Sequence, residues 1–387
     1  MEATIARHFF HRLLRPPLLL RRLAVLLTHL PPLYNRRLSL VALKDFQLSL
    51  FFLLCGLSTR TVSFTAGGSA TSIQIWIPRR RRQGKPALVL IHGFGGNSKW
   101  QFHDQIGTLS RSFDLYIPDL VFFGRSASAT AERSVGFQSR CVAAAMRDLG
   151  VVKYSVAGIS YGGFVAFRLA AEAAEVVERV VILTSGICAT TEEMNALAGR
   201  EKRDVSEILL PRRAEDLMAL MRRSLHRPPK WLPAFLLRDF VEVMYKDQRE
   251  ERVELLLELL SNGLDLHPLP VLSKVWLFEH SKLQVPVNAL LSPRICRWSA
   301  KASFSYKFCT QLSSRLWPNK EEVLIIWGDK DNVFPISLGH RLQRHLGGNA
   351  RLEVIADAGH AVQLEKPHIV NHLILSFLLQ STILLSP

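Results

Sequence analysis

The pentapeptide Gly158–Gly162, with the sequence GISYG, places the hydroxyl group of Ser160 between two glycines in the pattern G-x-S-x-G. The apolar run Tyr154–Ile159 predicts a strand that ends in this pentapeptide, and a helix is predicted from about Gly163 to Ala174. A tight strand–turn–helix exposes the serine, and the helix N-terminus favours the negative charge that develops there. Side chains at positions 158 and 162 would crowd the turn. The spacing therefore predicts a nucleophile at Ser160.

The loop His92–Gly96, with the sequence HGFGG, follows the apolar run Ala87–Ile91, which predicts a buried parallel strand. In an acyl-transfer site, such a loop supplies one backbone N–H group to the oxyanion hole. The residue after the nucleophile supplies the other. We therefore predict the amides of Phe94 and Tyr161 as the two donors.

Two later loops carry an acid and a histidine that could complete a catalytic triad. The tetrapeptide GDKD, residues 328–331, follows a predicted strand, and either Asp329 or Asp331 is placed to orient an imidazole. His360 lies in a glycine loop beyond the next predicted strand, and the chain order serine, acid, histidine is that of one known fold. No matching cluster of histidines and acids accompanies these loops. Neither a metal nor another cofactor is therefore predicted.

Strand-like runs alternate with helical stretches through most of the chain, which predicts an α/β fold with a mostly parallel, twisted sheet and helices on both faces. The predicted strands are Thr61–Thr65, Ser72–Ile77, Ala87–Ile91, Asp114–Ile117, Tyr154–Ile159, Val180–Thr184, Glu322–Trp327 and Leu352–Ile355. The dipeptide Gly67-Gly68 predicts a hairpin between the first two. A closing helix is predicted over His368–Leu379.

The alternation stops between Ser185 and Glu321, where a helical cap is predicted as an insertion into the sheet domain. Its predicted helices are Val205–Leu210, Ala214–Ser224, Leu236–Lys246 and Glu250–Leu260. The chain thus divides into five predicted regions: a basic apolar N-terminal extension with a packing helix (1–60), the first half of the core (61–185), the cap (186–274), an atypical basic insertion (275–320) and the second half of the core (321–387).

The composition is that of a chain able to bury a large core, with 387 residues, 48% hydrophobic and 21% charged. The net charge of +16 is unevenly distributed. Residues 1–86 hold 14 basic and 2 acidic side chains, residues 281–319 hold 6 basic and none acidic, and the remainder is close to neutral. No basic stripe marks the main body, so nucleic acid is not predicted as a partner. Five cysteines without a CxxC pair suit a reducing, intracellular compartment.

The N-terminal segment leaves its role open. Residues 1–40 carry seven arginines and one acid among many leucines, a pattern typical of organelle transit peptides, although serine is nearly absent. No apolar run reaches the length that spans a bilayer. Phe46–Leu57 predicts a helix that either packs on the core or lies at a membrane interface. Three roles are therefore open for this segment: peripheral membrane association, organelle targeting, or a plain terminal extension.

Together these motifs resemble the α/β-hydrolase superfamily, especially plant and bacterial members related to monoacylglycerol lipases and other serine esterases. The resemblance covers roughly residues 55–275 and 320–387, and its motifs are His92–Gly96, Pro118–Ser126, Gly158–Gly163, Trp327–Pro335 and Ala358–His360. It implies Ser160 as nucleophile, His360 as general base and Asp331 as the acid. Supporting roles fall to His92, Gly93, Gly158, Gly162 and Asp329. Epoxide hydrolases and haloalkane dehalogenases of this fold carry Asp at the elbow, and Ser160 argues against both.

The resemblance implies two-step hydrolysis of a carboxylic ester, with a small-molecule or lipid ester as substrate. The apolar cap favours a lipophilic, acylglycerol-like ester. A carbon–carbon bond hydrolase with the same triad is one alternative, and a ligand-binding receptor with vestigial activity is another. Residues 281–319 depart from the family pattern, being either a species-specific loop or translated non-coding sequence, and inactivation by this region is a further alternative.

Overall fold

A nine-stranded sheet runs through the residues that the computed structural model describes, which are 39–199, 205–263 and 322–379. Its strands are β1 (Leu57–Ala66), β2 (Ser69–Pro78), β3 (Ala87–Ile91), β4 (Asp114–Pro118), β5 (Ala127–Ser128), β6 (Tyr154–Ile159), β7 (Val177–Leu183), β8 (Val323–Gly328) and β9 (Ala350–Ile355). The spatial order is β1-β2-β4-β3-β6-β7-β8-β9, and the short β5 pairs with β2.

The sheet is antiparallel at one edge and parallel everywhere else. β1 and β2 form a hairpin that pairs Leu57 with Pro78, and its turn residues Gly67 and Gly68 have φ angles of 58° and 73°. Two successive positive φ angles suit the twist of a tight hairpin, which is why this turn uses two glycines. From β4 to β9 all neighbouring strands are parallel. The predicted hairpin and the mostly parallel α/β sheet are confirmed.

Helices cover both faces of the sheet. Those outside the cap are α1 (Leu40–Leu54), α2 (Ser98–Leu109), α3 (Val135–Asp148), α4 (Tyr161–Glu172), α10 (Ile336–Leu346), α11 (Val362–Glu365) and α12 (Pro367–Leu379). Along β3, Val89 and Ile91 join the core under α3, α4 and α10, whereas Leu88 and Leu90 join the core under α2 and α12. This alternation is the period of two that a strand buried on both faces requires.

The first helix extends further towards the N-terminus than the sequence predicts. It spans Leu40–Leu54, whereas the prediction was Phe46–Leu57. The prediction failed because Lys44 and Asp45 interrupt the apolar pattern. The Asp45 carboxylate is nevertheless accommodated, because it accepts hydrogen bonds from Lys99 Nζ at 2.6 Å and Trp100 Nε1 at 3.0 Å.

The predicted boundary at residue 60 falls inside strand β1, which begins at Leu57. Gly56, with a φ angle of 84°, turns the chain from α1 into this strand, and its carbonyl oxygen accepts a hydrogen bond from the amide of Arg79. The core sheet therefore starts earlier than residue 61. Among the residues whose placement the structure describes, no helix combines the length and apolarity needed to cross a bilayer.

The regular secondary structure described between β7 and β8 is all helical, with loops between the helices. Its helices are α5 (Thr191–Gly199), α6 (Val205–Leu209), α7 (Ala214–Ser224), α8 (Ala234–Tyr245) and α9 (Arg249–Asn262). The sequence predicts the last four within two residues at each end but misses α5. The predicted insertion at 275–320 and most of the predicted extension, residues 1–38, lie outside the described residues.

Candidate active site

Ser160 sits at a sharp turn between β6 and α4. Its backbone has φ 53° and ψ −120°, a conformation that non-glycine residues rarely adopt. Its amide donates to the carbonyl oxygen of Leu183 at 2.9 Å, and its carbonyl oxygen accepts from Gly163 N at 2.9 Å and from Ser185 Oγ at 2.8 Å. Although Ser160 occupies the N-cap of α4, its hydroxyl makes no capping hydrogen bond. The backbone is thus held by three bonds while the hydroxyl is left for chemistry.

Glycines 158 and 162 are required by close packing of backbone against backbone. A Cβ at Gly158 would lie 2.1 Å from the carbonyl oxygen of Gly162, and one at Gly162 would lie 2.1 Å from that of Ile91. No side chain could move to relieve either clash, because the opposing atoms are main chain. These two glycines allow β6, α4 and the end of β3 to meet around Ser160.

His360 and Asp331 are in direct contact at the carboxyl ends of β9 and β8. A distance of 3.0 Å joins His360 Nδ1 to Asp331 Oδ2. The other carboxylate oxygen, Oδ1, accepts from the amides of Val333 at 2.8 Å and Phe334 at 2.9 Å. Because the carboxylate accepts, Nδ1 carries the proton and Nε2 presents a lone pair. The side chains are 10% and 0% exposed, so this contact is largely shielded from water.

Asp329, the other acid of the GDKD loop, is engaged elsewhere. Its carboxylate pairs with Lys330 Nζ at 3.1 Å and accepts from the amide of Ala358 at 3.4 Å. Desolvation opposes ionisation here, but the hydrogen bonds from Lys330 and Ala358 outweigh it and lower the pKa of Asp329. Asp329 therefore links the loop after β8 to the loop that carries His360, without contact to the imidazole.

Thr184 connects the loop of His360 to the strand that anchors Ser160. Its amide donates to the carbonyl oxygen of Ile326 in β8, and its hydroxyl donates to the carbonyl oxygen of His360 at 2.9 Å. The preceding residue, Leu183, accepts the hydrogen bond from Ser160 N. Ser160 and His360 are thus attached to consecutive residues at the carboxyl end of β7, the edge where ligands bind in open α/β sheets.

The loop after β3 lies against the serine. A Cβ at Gly93 would be 3.0 Å from Ser160 Cβ and 3.5 Å from Ser160 Oγ. The rings of Phe94 and Tyr161 are 4.8 Å apart between centroids. Over the ranges that the structure describes, neither the amide of Phe94 nor that of Tyr161 donates to another protein atom. The amide of Phe94, in the loop after β3, and that of Tyr161, the first residue of α4, are therefore both free.

His92 is buried and holds the loop in place. Its Nε2 accepts from the amide of Leu120 at 3.0 Å, so in the neutral ring Nδ1 carries the proton and donates to the carbonyl oxygen of Gly93 at 2.8 Å. Burial lowers the pKa of His92, which favours this neutral form. The residue is thus a structural bridge from the loop after β3 to the loop after β4.

Gln101 in α2 binds the same loop through its side chain, and the sequence analysis did not identify this residue. Its Oε1 accepts from the amide of Gly93 at 2.8 Å, and its Nε2 donates to the carbonyl oxygen of Gly93 at 2.9 Å. The sequence holds one signal for it. Gln101 and Gln105 share the side of α2 that carries the buried Phe102 and Ile106, and polar residues at core positions need partners.

Glu365 is a second residue that sequence analysis missed. Its carboxylate accepts from the amide of Gly359 at 2.6 Å and from the amides of His226, at 3.0 and 3.2 Å, and Arg227 at 3.3 Å. His226 and Arg227 follow α7 of the cap, whereas Gly359 precedes His360. One carboxylate therefore fastens the cap to the histidine loop.

No group of three or more metal-ligating side chains occurs within 39–199, 205–263 and 322–379. The described geometry supplies groups for acid–base and nucleophilic chemistry: a free hydroxyl at the end of β6, an imidazole oriented by a buried carboxylate after β9 and β8, and two free amides.

The comparisons with known proteins agree with this architecture. The sequence matches the alpha/beta hydrolase fold family over residues 86–367, which is well over half of the chain. The chain therefore belongs to the alpha/beta hydrolase family, and the predicted superfamily is confirmed.

Curated relatives are distant. An uncharacterised protein of Mycobacterium tuberculosis is 26% identical over 275 residues, covering 71% of this chain and 70% of the relative. The 2-hydroxy-6-oxo-6-phenylhexa-2,4-dienoate hydrolase of Comamonas testosteroni is 24% identical over 298 residues, covering 76% and 88%. Among solved structures, a bacterial membrane phospholipase A has a TM-score of 0.60 at 21% identity, covering 93% of this chain and 97% of that one. At 21% sequence identity, this similarity shows a shared fold and nothing more specific.

Proposed function

We propose that this protein is a serine hydrolase of carboxylic esters, with Ser160 as nucleophile, His360 as general base and Asp331 as the acid that orients the imidazole. The single observation that carries the proposal is the hydrogen bond from His360 Nδ1 to Asp331 Oδ2, which leaves the lone pair of His360 Nε2 available to accept the proton of the strained, uncapped Ser160. Asp329 supports the loop but does not contact the imidazole.

The proposed reaction is a two-step acyl transfer. His360 Nε2 takes the Ser160 proton as Oγ attacks the ester carbonyl carbon, and the same proton then passes to the departing alcohol. A water molecule, deprotonated by His360, attacks the acyl-enzyme and releases the acid, returning a proton to Ser160. The amides of Phe94 and Tyr161 hold the oxyanion in both steps, each contributing about 3–4 kcal/mol to the transition state. These steps require no metal or other cofactor.

The substrate we propose is a lipophilic, acylglycerol-like ester. Aromatic rings pack beside the proposed general base, with Phe334 5.6 Å from His360 and 6.3 Å from Phe164 between ring centroids. An apolar acyl chain gains free energy by leaving water for such surroundings. We also propose peripheral membrane association through the N-terminal region, which would present such esters to the site.

A carbon–carbon bond hydrolase is the second candidate, because the relative in Comamonas testosteroni is named for cleavage of a dienoate. The two candidates share the proposed triad and differ in substrate. Comparing kcat/KM for an aryl ester series with that for 2-hydroxy-6-oxo-6-phenylhexa-2,4-dienoate separates them. A higher value for the dienoate would favour the second.

The proposal is tested by labelling with a serine-directed fluorophosphonate, together with ester hydrolysis. We expect the wild-type protein to be labelled and the Ser160→Ala variant to be neither labelled nor active, with kcat reduced by about 10⁴-fold or more. Ser63→Ala, at an exposed position on β1, is the matched control and should behave as wild type. Activity of Ser160→Ala within about tenfold of wild type contradicts the proposal. Wild-type protein that binds esters but resists labelling would favour a receptor.

A further inference from the structure

Helix α1 is apolar on the side that faces the protein and also on the side that faces water. Its buried side chains are Val41, Leu48 and Phe52. Its exposed large side chains include Leu40, Leu43 and Phe46. A surface helix of a soluble protein ordinarily turns polar residues outward. The outward side of α1 therefore lacks the polarity that contact with water alone would favour.

The exposed side of α1 continues onto the cap. The amide of Val41 donates to Asp239 Oδ2 at 2.9 Å, so the N-terminus of α1 touches α8. Phe235 lies four residues before Asp239, one helical turn along the same side of α8, and Trp231 lies just before that helix. Both side chains are strongly exposed. Two segments nearly 200 residues apart thus bring large apolar side chains together.

We call the exposed side chains of Leu40, Leu43, Phe46, Trp231 and Phe235 the apolar patch. Their exposed fractions lie between 47% and 75%. Leu54, at the C-terminal end of α1, is also strongly exposed, and the remaining exposed apolar side chains of the described residues are spread over the molecule, for example Val152 before β6 and Ile369 in α12. Single exposed apolar residues are ordinary, whereas a concentration on two adjoining helices marks an interaction surface.

The charge around the patch indicates the kind of surface that it meets. Residues 1–40, which lead directly into α1, carry seven arginines and one acid, and Arg36 and Arg37 come just before Leu40 in the sequence. Arg238 is exposed on α8 beside the patch. Apolar side chains with arginines close by in the sequence match the acyl chains and headgroups of an anionic bilayer, since each basic residue near such a surface adds to binding.

We propose that the apolar patch is a docking surface for an anionic lipid bilayer, on which α1 and the start of α8 lie in the interface. Two other occupants, residues 1–38 of this chain and a second copy of the protein, are distinguished by the experiment. The proposal rests on the membrane association proposed above and names the side chains that make it, and it is independent of the hydrolase activity, because the experiment measures binding alone.

The experiment is co-sedimentation of the full chain with vesicles of phosphatidylcholine, alone or mixed with phosphatidylglycerol. We expect wild-type protein to bind the mixed vesicles and to be partly released by salt. The double variant Phe46→Gln/Phe235→Gln should bind about tenfold more weakly. Val152→Gln, which removes a strongly exposed apolar side chain from the loop before β6, should bind as wild type. If the first double variant has a clearly lower melting temperature than wild type, the second double variant Leu43→Gln/Trp231→Gln is used in its place.

Four results would overturn the proposal. In the first, wild-type protein does not sediment with the mixed vesicles. In the second, both double variants bind these vesicles as strongly as wild type. In the third, vesicle binding appears only after residues 1–38 are deleted, which would identify that segment as the occupant. In the fourth, the patch substitutions dissociate a dimer in size-exclusion chromatography while vesicle binding is unchanged, which would identify a second copy.

Discussion

At the scale of single residues, the two acids of the GDKD loop have different partners. Asp331 contacts His360 Nδ1, whereas Asp329 contacts Lys330 and the amide of Ala358. An amide at the orienting position can favour the wrong imidazole tautomer, which in a well-studied serine protease costs about 10⁴-fold in kcat.

We therefore expect Asp331→Asn to lower kcat for a short-chain aryl ester by about 10³- to 10⁴-fold. Asp329→Asn, the matched control two residues away, should keep kcat within about tenfold of wild type, because it leaves the imidazole bond intact. Steady-state kinetics on both variants is the measurement. If Asp329→Asn proves the more damaging change, the assignment of the acid is wrong.

The two hydrogen bonds between the Gln101 side chain and the backbone of Gly93 lead to a second prediction at this scale. Gln101→Met keeps the side-chain volume but removes both hydrogen bonds to the loop that carries the Phe94 amide. A displaced oxyanion donor should lower kcat by about 10- to 100-fold with little change in KM.

Gln105→Met is the matched control, because Gln105 lies one turn further along α2, is equally buried and binds the carbonyl oxygen of Gln363 instead. We expect both variants to lower the melting temperature, but Gln105→Met to leave kcat nearly unchanged. Equal losses of kcat in the two variants would show that Gln101 contributes to stability alone.

At the scale of elements, Glu365 of α11 joins the cap to the loop of His360. Three backbone amides, from Gly359, His226 and Arg227, donate to its carboxylate. A Gln side chain offers one acceptor oxygen and directs an NH₂ group at the remaining donors. Glu365→Gln should therefore lower the free energy of unfolding by about 1–3 kcal/mol and reduce kcat through misplacement of His360.

The control for this element-level prediction is Glu254→Gln. Glu254 in α9 also links the cap to the core, through an ion pair with Arg133 at 2.8 Å, but its side chain is largely exposed and its partner lies just before α3, not in the histidine loop. Exposed pairs contribute about 0–1 kcal/mol, so its loss should be small. Chemical denaturation and steady-state kinetics measure both variants. A larger effect from Glu254→Gln would refute the role of Glu365.

At the scale of the whole molecule, the carboxyl edge of the sheet, where we propose the catalytic site, lies opposite the end at which the chain enters β8. β8 is buried along its whole length and pairs with β7 and β9. The backbone carbonyl oxygen of Glu322, the residue before β8, accepts a hydrogen bond from the amide of Val180. Residues 281–319 lack a periodic apolar pattern and join this strand from its N-terminal side.

We therefore expect deletion of residues 281–319 to preserve or raise both the melting temperature and kcat/KM. A segment without an apolar face buries little surface, so the free energy gained by its packing is small compared with the conformational entropy lost when it becomes ordered. Melting curves and ester hydrolysis of the deleted and full-length proteins, measured side by side, test this. A deleted protein that fails to fold, or folds without activity, would show that these residues are an integral part of the cap.

The sequence alone determined the features that depend on neighbouring residues. The apolar runs define the strands, the glycines on either side of Ser160 define the turn, and the chain order of Ser160, the GDKD loop and His360 places three loops at one edge of a parallel sheet. These features follow from local periodicity and steric requirements, which operate over a few residues. For the same reason the sequence misjudged α1, because the partners that accommodate Asp45 lie more than 50 residues away.

Only the tertiary structure decided which atoms meet across long separations in the chain. It brought Asp331, rather than Asp329, to the imidazole, left the amides of Phe94 and Tyr161 free, and used one carboxylate at Glu365 to join segments 139 residues apart. It also placed α1 beside α8, 198 residues away, and so created the apolar patch. Such contacts depend on how whole elements pack against each other, and the periodicity of each segment leaves that packing undetermined.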